Sequence, residues 1–266
     1  MSELDPEHRA QIDAAAELLA PAQHILFVTG AGISADSGLP TYRGVGGLYD
    51  DADTEDGLPI EVCLSGSMFR RDPARTWKYI REIERACRGA RPNPAHELIA
   101  ELERERERVW VLTQNVDGLH VAGGSKQVIE IHGTIHELRC TKCGWRDRVS
   151  DFAELDARID AALVPSCPAC GAVIRPDVVL FEEMLPPRAI QVLHRECGRG
   201  FDAVVSIGTS GLFQYVTAPL LEAHAASKPT VEINPGTSVV SGIVDVHVRL
   251  GAAAAMRGLV DAMALL

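Results

Sequence analysis

No window of this chain approaches eighteen consecutive apolar residues, so the sequence offers no membrane-spanning helix. The opening stretch MSELDPEHRAQID is polar and acidic and lacks the layout of a signal peptide, which predicts a cytoplasmic protein. Basic runs are missing as well. Against 37 Asp and Glu stand only 26 Lys and Arg, a formal net charge of −11, so no segment could track a phosphate backbone. Neither a nucleic acid nor a membrane is therefore expected as a partner, whereas a lysine-bearing one is mildly favoured. Seven cysteines, an odd number in a chain expected to stay in a reducing compartment, do not make a disulfide framework; they read as thiols or metal ligands. Internal repeats and low-complexity tracts are absent too.

What is present is ordinary globular composition, 46% hydrophobic and 24% charged over 266 residues, enough for one large domain with a small insert. Apolar positions Ile12, Ala15, Leu18 and Leu19 predict an amphipathic lead-in helix over 4–19. The run His24 to Val28 then reads as a buried strand entering Gly30-Ala31-Gly32-Ile33-Ser34-Ala35, a strand, tight turn and helix start. In that pattern Gly30 allows the turn, Gly32 admits a pyrophosphate to the main chain, and Ala35 lets the helix pack on the strand. A dehydrogenase would carry an acid about twenty residues on, closing a second strand. Asp50, Asp51, Asp53 and Glu55 lie at that distance in a Gly- and Asp-rich segment without any apolar run, so a dehydrogenase is disfavoured. That segment, 44–58, suggests a lid over a cofactor.

Further along, 59–90 reads as short helices of an inserted lobe, and His96 to Glu107 as a surface helix. Val109 to Leu112 is a buried strand ending in Thr113-Gln114-Asn115-Val116-Asp117-Gly118-Leu119-His120; Val128 to Ile131 repeats the layout and ends at His132-Gly133. Val204 to Gly208, Thr230 to Ile233 and Val244 to Leu250 are further strands, with helices at 217–226 and over the C-terminal GAAAAMRGLVDAMALL. Strands alternating with helices predict an α/β fold, a doubly wound, mainly parallel Rossmann-like sheet with a smaller inserted zinc-ribbon and helical domain. The expected division is 1–43, 91–135 and 176–266 for the sheet domain, 44–90 for the cofactor loop and helical module, and 136–175 for the ribbon.

The ribbon rests on Cys140-x-x-Cys143 and Cys167-x-x-Cys170, with 23 residues between the pairs. Turn-formers in each pair let four sulfurs close on one zinc ion. Four thiolates leave no open coordination position, so the ion is structural and cannot act as a Lewis acid. Cys63, Cys87 and Cys197 belong to no such pair and are expected to be buried as small apolar residues.

The stretch GAGISADSGLPTYRG, the TQNVD strand end, the His-Gly dipeptide before the first cysteine pair and the VVLFEE segment together resemble the sirtuins, NAD-consuming protein lysine deacylases. The likeness runs over most of the chain. It implies removal of an acyl group, acetyl foremost, from protein lysines, with NAD cleaved to nicotinamide and O-acyl-ADP-ribose. His132 and Asn115 take the catalytic places, His132 as the general base. Asn115 and Asp117 bind the nicotinamide and its ribose side, and Gln114 the ribose hydroxyls. Gly30, Ala31, Gly32, Tyr42 and Arg43 surround the pyrophosphate and nicotinamide, while Gly208, Thr209, Ser210 and Asn234 hold phosphate and the adenosine ribose. Val179 pairs with the acyl-lysine through its carbonyl, and Phe181 lines the tunnel. His120 and His136 match no family role. A monomer is expected.

Four departures from the family pattern stand out. Glu182 replaces the usual glycine after Phe181, placing a side chain and a charge where peptide backbone should pair and predicting a preference for basic flanks. The desuccinylase Tyr-x-x-Arg is missing: the register places Ile80 and Ile83 there, and an apolar pair rejects a carboxylate. Thr41 and Tyr42 replace Asp and Phe. Two other classes stay open at this stage: a mono-ADP-ribosyltransferase or NAD hydrolase sharing the first step, and a non-catalytic module that binds NAD or acyl-lysine.

Overall fold

The computed structural model describes residues 5–40, 54–153 and 164–265. Tyr42 and Arg43, and most of the expected lid, lie outside them.

Six strands form one all-parallel sheet: β1 (His24–Thr29), β2 (Arg108–Thr113), β3 (Val128–Glu130), then, after three strands of a second sheet, β7 (Ala203–Ile207), β8 (Thr230–Ile233) and β9 (Val246–Val248). The second sheet is antiparallel and holds β4 (Gly133–Cys140), β5 (Arg146–Arg148) and β6 (Ile174–Val178). The helices are α1 (Pro6–Leu19), α2 (Ile60–Cys63), α3 (Gly66–Arg71), α4 (Pro73–Cys87), α5 (Pro94–Glu105), α6 (Leu119–Ala122), α7 (Pro187–Gly198), α8 (Gln214–Ala225) and α9 (Ala252–Met263). Three of them start on one local device, an Asx cap followed by proline. Asp5 caps the His8 amide ahead of Pro6, Asp72 the Arg75 amide ahead of Pro73, and Asn93 the Ala95 amide ahead of Pro94. The inserted helices include one of 15 residues, α4, longer than the short helices expected there.

Strand alternation decides which side chains face which layer. From β1, Ile25 and Phe27 enter a core with Ile12 and Leu19 of α1, Ile99 of α5 and Leu259 of α9, while Leu26 and Val28 enter the opposite core with Leu193 of α7 and Leu220 of α8. A third core belongs to the smaller lobe and combines Ile60, Trp77, Tyr79 and Ile80 of the helical insert with Leu138, Cys140, Cys167 and Ile174 of the cysteine ribbon. Hydrogen bonds stitch the two inserts together, from Trp77 Nε1 to the Ile174 carbonyl (3.0 Å) and from the Phe152 amide to Glu84 (3.1 Å). Ile80 and Ile83 thus fill that core with apolar volume.

The sheet order β3-β2-β1-β7-β8-β9 reverses between β1 and β7. In open α/β sheets of this kind such a reversal, outside the carboxyl ends of the strands, is where a ligand crevice lies.

Three local expectations are corrected. The segment after the glycine turn is a 3₁₀-helix, Ala31–Ser37, not the start of an α-helix; Ile33 is the residue that packs inward, and Ala35 is exposed. The last strand keeps only Val246–Val248 of the predicted 244–250, and the helix expected at 217–226 begins at Gln214, with Pro219 inside it. Residues 179–183 form no strand of a sheet. Phe181 makes one isolated bridge to Ser65, its amide donating to the Leu64 carbonyl and its carbonyl accepting from the Gly66 amide.

Candidate active site

The glycines of the opening motif serve backbone packing. The Gly30 amide donates to the Ile207 carbonyl (3.1 Å) and the Gly32 amide to the Gly208 carbonyl (2.8 Å), so the loops after β1 and β7 touch main chain to main chain. A Cβ on Gly32 would overlap Gly208, and one on Gly208, at φ +59°, would overlap Gly32 and Ile33. Gly32 is therefore also needed for this crossing.

Around the crossing, polar side chains from three loops converge. Gln114, just past β2, donates through Nε2 to Thr209 Oγ1 (2.8 Å), spanning β1. Asn115 donates through Nδ2 to the Gly30 carbonyl (3.0 Å) and to Ser34 Oγ (3.2 Å), and Ser34 in turn donates to Asp117 (2.8 Å). Asn234, at the end of β8, donates to the Thr209 carbonyl (3.2 Å). Ala31 and Gly208 are half-buried at the mouth, Thr209 is buried and Ser210 is exposed. Gln114, Asn115, Asp117, Thr209 and Asn234 thus meet in one place. Ser34 belongs to the same network; its position inside the glycine-serine motif was the signal, and residue type alone gave it no role.

His132 follows Ile131, whose amide extends the β2–β3 ladder by donating to the Thr113 carbonyl (3.1 Å). Gly133 then turns the chain into β4 at φ +75°, where a Cβ would overlap the Asp177 carbonyl oxygen. The Val179 amide donates to the His132 carbonyl (2.8 Å), which ties the acyl-lysine segment to the histidine turn. On the ring, Nδ1 faces the Gln114 carbonyl at 2.9 Å and must be the protonated nitrogen, leaving Nε2 with a lone pair. Burial holds this imidazole below the ordinary histidine range, so it is neutral at physiological pH. Nε2 accepts a 2.6 Å hydrogen bond from the Tyr215 hydroxyl, a residue that no sequence pattern singled out.

Of the other two histidines, His120 is buried with Nε2 2.9 Å from Thr29 Oγ1, and His136 Nε2 donates to the Asp117 carbonyl (3.0 Å). Glu182 adopts the left-handed region at φ +69°, and its exposed carboxylate accepts from the Ser67 amide (3.3 Å). Beside it, Glu183 pairs with buried Arg175 through two hydrogen bonds of 2.7 and 2.9 Å.

In the ribbon, the sulfurs of Cys140, Cys143, Cys167 and Cys170 lie within 4.8 Å of one another. Cys140–Cys170 at 3.5 Å and Cys143–Cys167 at 3.6 Å are far too long for disulfides and close to the spacing of about 3.8 Å that a tetrahedron of Zn–S bonds sets. Amide groups of Lys142 and Cys143 point at Cys140 Sγ, both at 3.3 Å, as they would at a thiolate. This donor set fits zinc. Among the unpaired thiols only Cys63 is fully buried; Cys87 and Cys197 are half-buried, and burial pushes them up to about 12 and about 11.

Comparison with known proteins bears on this arrangement. The chain is 50% identical over 242 residues to NAD-dependent protein deacylase 2 of Pseudomonas aeruginosa, covering 90% of this chain and 92% of that one. Its structure resembles a Sir2 homologue solved with NAD (TM-score 0.80, 32% identity, 99% and 95% of the two chains). It also resembles a Sir2 solved with a p53 peptide and NAD+ (TM-score 0.80, 27% identity, 94% and 97%). The sequence pattern that defines the Sir2 family runs from Gly30 to Gln214, beginning at the glycine crossing and ending beside Tyr215. With the switch-point crevice, the histidine at its edge and the tetrathiol ribbon all inside that span, the chain belongs to the Sir2 family.

Proposed function

We propose that this protein removes acyl groups, acetyl first, from protein lysines, consuming NAD and releasing nicotinamide and O-acyl-ADP-ribose. One observation carries the reading: a neutral imidazole, pinned at Nδ1 by the Gln114 carbonyl, holds Nε2 as a hydrogen-bond acceptor beside the amide and hydroxyl side chains that converge at the switch point. His132 is the general base that draws a proton from a ribose hydroxyl, so that this oxygen can attack the acyl carbon. Asn115 and Asp117 position the nicotinamide and its ribose. Gln114 binds ribose hydroxyls, and Thr209, Ser210 and Asn234 hold phosphate and the adenosine ribose. Gly30, Ala31, Gly32 and Gly208 form the floor, and Tyr42 and Arg43 complete the pyrophosphate side. Val179 and Phe181 receive the acyl-lysine. Relatives named as NAD-dependent protein deacylases, and structures solved with NAD and with a peptide, support this reading.

Zinc, held by the four cysteines, supplies fold and no chemistry, because a closed thiolate set has no position for a substrate. Among the described residues no helix is long and apolar enough to cross a membrane. A cytoplasmic monomer, divided into the sheet domain, helical module and ribbon set out above, completes the proposal.

The test is mass spectrometry of products from NAD and an acetyl-lysine peptide. O-Acetyl-ADP-ribose is expected from the native protein and none from His132→Ala, with thermal unfolding of the variant unchanged. Native-level turnover in that variant removes His132 from the mechanism, and ADP-ribose alone from the native protein replaces deacylation with NAD hydrolysis.

A further inference from the structure

The lone pair of His132 is already engaged. Tyr215, in the first turn of α8, donates its hydroxyl to Nε2 at 2.6 Å, the shorter of the two hydrogen bonds the ring makes. The contact is built from both sides. Phe213 stacks on Tyr215 (5.4 Å between centroids, 16° between planes), and both rings meet the imidazole edge to face, at 6.1 and 5.9 Å. Phe213 and Tyr215 lie two and four residues beyond Gly211, which takes φ +70°, so one loop and the helix turn it enters carry both the phosphate-side residues and the hydroxyl. A proton donor approaching Nε2 along its lone pair meets the Tyr215 oxygen first.

We infer that Tyr215 is a proton-relay residue, through which the ribose hydroxyl reaches His132. In the step, the Tyr215 O–H bond breaks as its proton passes to His132 Nε2. The ribose O–H bond breaks as that proton passes to the Tyr215 oxygen, and the ribose oxygen bonds with the freed electron pair to the acyl carbon of the imidate left when nicotinamide departs, whose C=N π pair moves onto the lysine nitrogen. Tyrosine ends neutral, imidazole ends as imidazolium, and the net transfer is one proton from ribose to His132. Burial pushes the phenol up to about 12, so it keeps its proton at rest and ionises only within the transfer.

This inference rests on the deacylase reading, and the two are separated by measuring two reactions on the same protein. Labelled-nicotinamide exchange into NAD, dependent on an acetyl-lysine peptide, reports expulsion of nicotinamide, which precedes the relay. O-Acetyl-ADP-ribose formation reports the step that needs it. For Tyr215→Phe, which keeps the ring and its stacking, product formation should fall roughly 100-fold while exchange stays within about threefold of native, as for His132→Ala. Unchanged or faster product formation in Tyr215→Phe overturns the relay, the faster rate marking the hydroxyl as a plug. Equal loss of both reactions assigns Tyr215 to packing and also overturns it. Absence of exchange and of product in the native protein defeats the deacylase reading itself.

Discussion

Gly133 sets where His132 stands. At φ +75°, against the Asp177 carbonyl, the position admits no side chain, so Gly133→Ala should cost at least ~3 kcal/mol in urea unfolding and abolish turnover together. Near-native stability of that variant would show that the turn can shift. The His-Gly dipeptide was legible in the sequence, but the need for glycine comes from β6 crossing behind it, a contact 44 residues away in the chain. His120 makes a different prediction. Burial, with the neighbouring His96 adding to it, drives its pKa from 6.5 down to about 3. A depressed folded-state pKa means that the unfolded chain binds the proton first. The stability from neutral His120 is full above pH 6.5 and is lost as pH falls from 6.5 toward 3. In urea titrations across that window, His120→Gln should lose less stability than the native protein; parallel curves would refute the assignment.

Among the elements, the connection after β6 shows how a local pattern can mislead. The run Val178 to Phe181 is apolar and β-prone, yet strand pairing ends at Val178, and Arg175 and Glu183 clasp the turn beyond it instead. Arg175 is 3% exposed, so Glu183→Gln leaves a buried guanidinium short of its counter-charge and should cost about 3 kcal/mol. Arg175→Met combined with Glu183→Met should recover most of that loss in chemical denaturation, since two apolar side chains leave no charge to desolvate. If the double variant is as unstable as the single one, packing governs the turn rather than charge. Glu182 sits on this same turn with a left-handed backbone, and its carboxylate caps the Ser67 amide. The charge that sequence reasoning placed toward a peptide also meets the protein's own chain. The glycine motif carries a constraint that its composition did not announce: its glycines are also required by the loop after β7.

Over the whole molecule, the small lobe is held by the cysteine cluster and by one core shared between two inserts far apart in sequence. Removing the metal with a strong chelator, or substituting Cys167→Ser, should therefore release α4 together with β4–β6, while β1, β2 and β7 keep their amide protection. Hydrogen exchange read by mass spectrometry distinguishes this from global melting, and continued protection of α4 would deny that the inserts fold as one. The sequence by itself determined the parallel sheet and the four clustered cysteines, because each depends on a short-range signal, strand alternation or cysteine spacing, while the proposed base, His132, came from a resemblance to the family pattern. Only the tertiary structure decided that Tyr215 meets that base, that the glycines face one another across the switch point, and that Ile80 is core. These are encounters between segments tens of residues apart, set by sheet order and layer packing, and no local pattern encodes them.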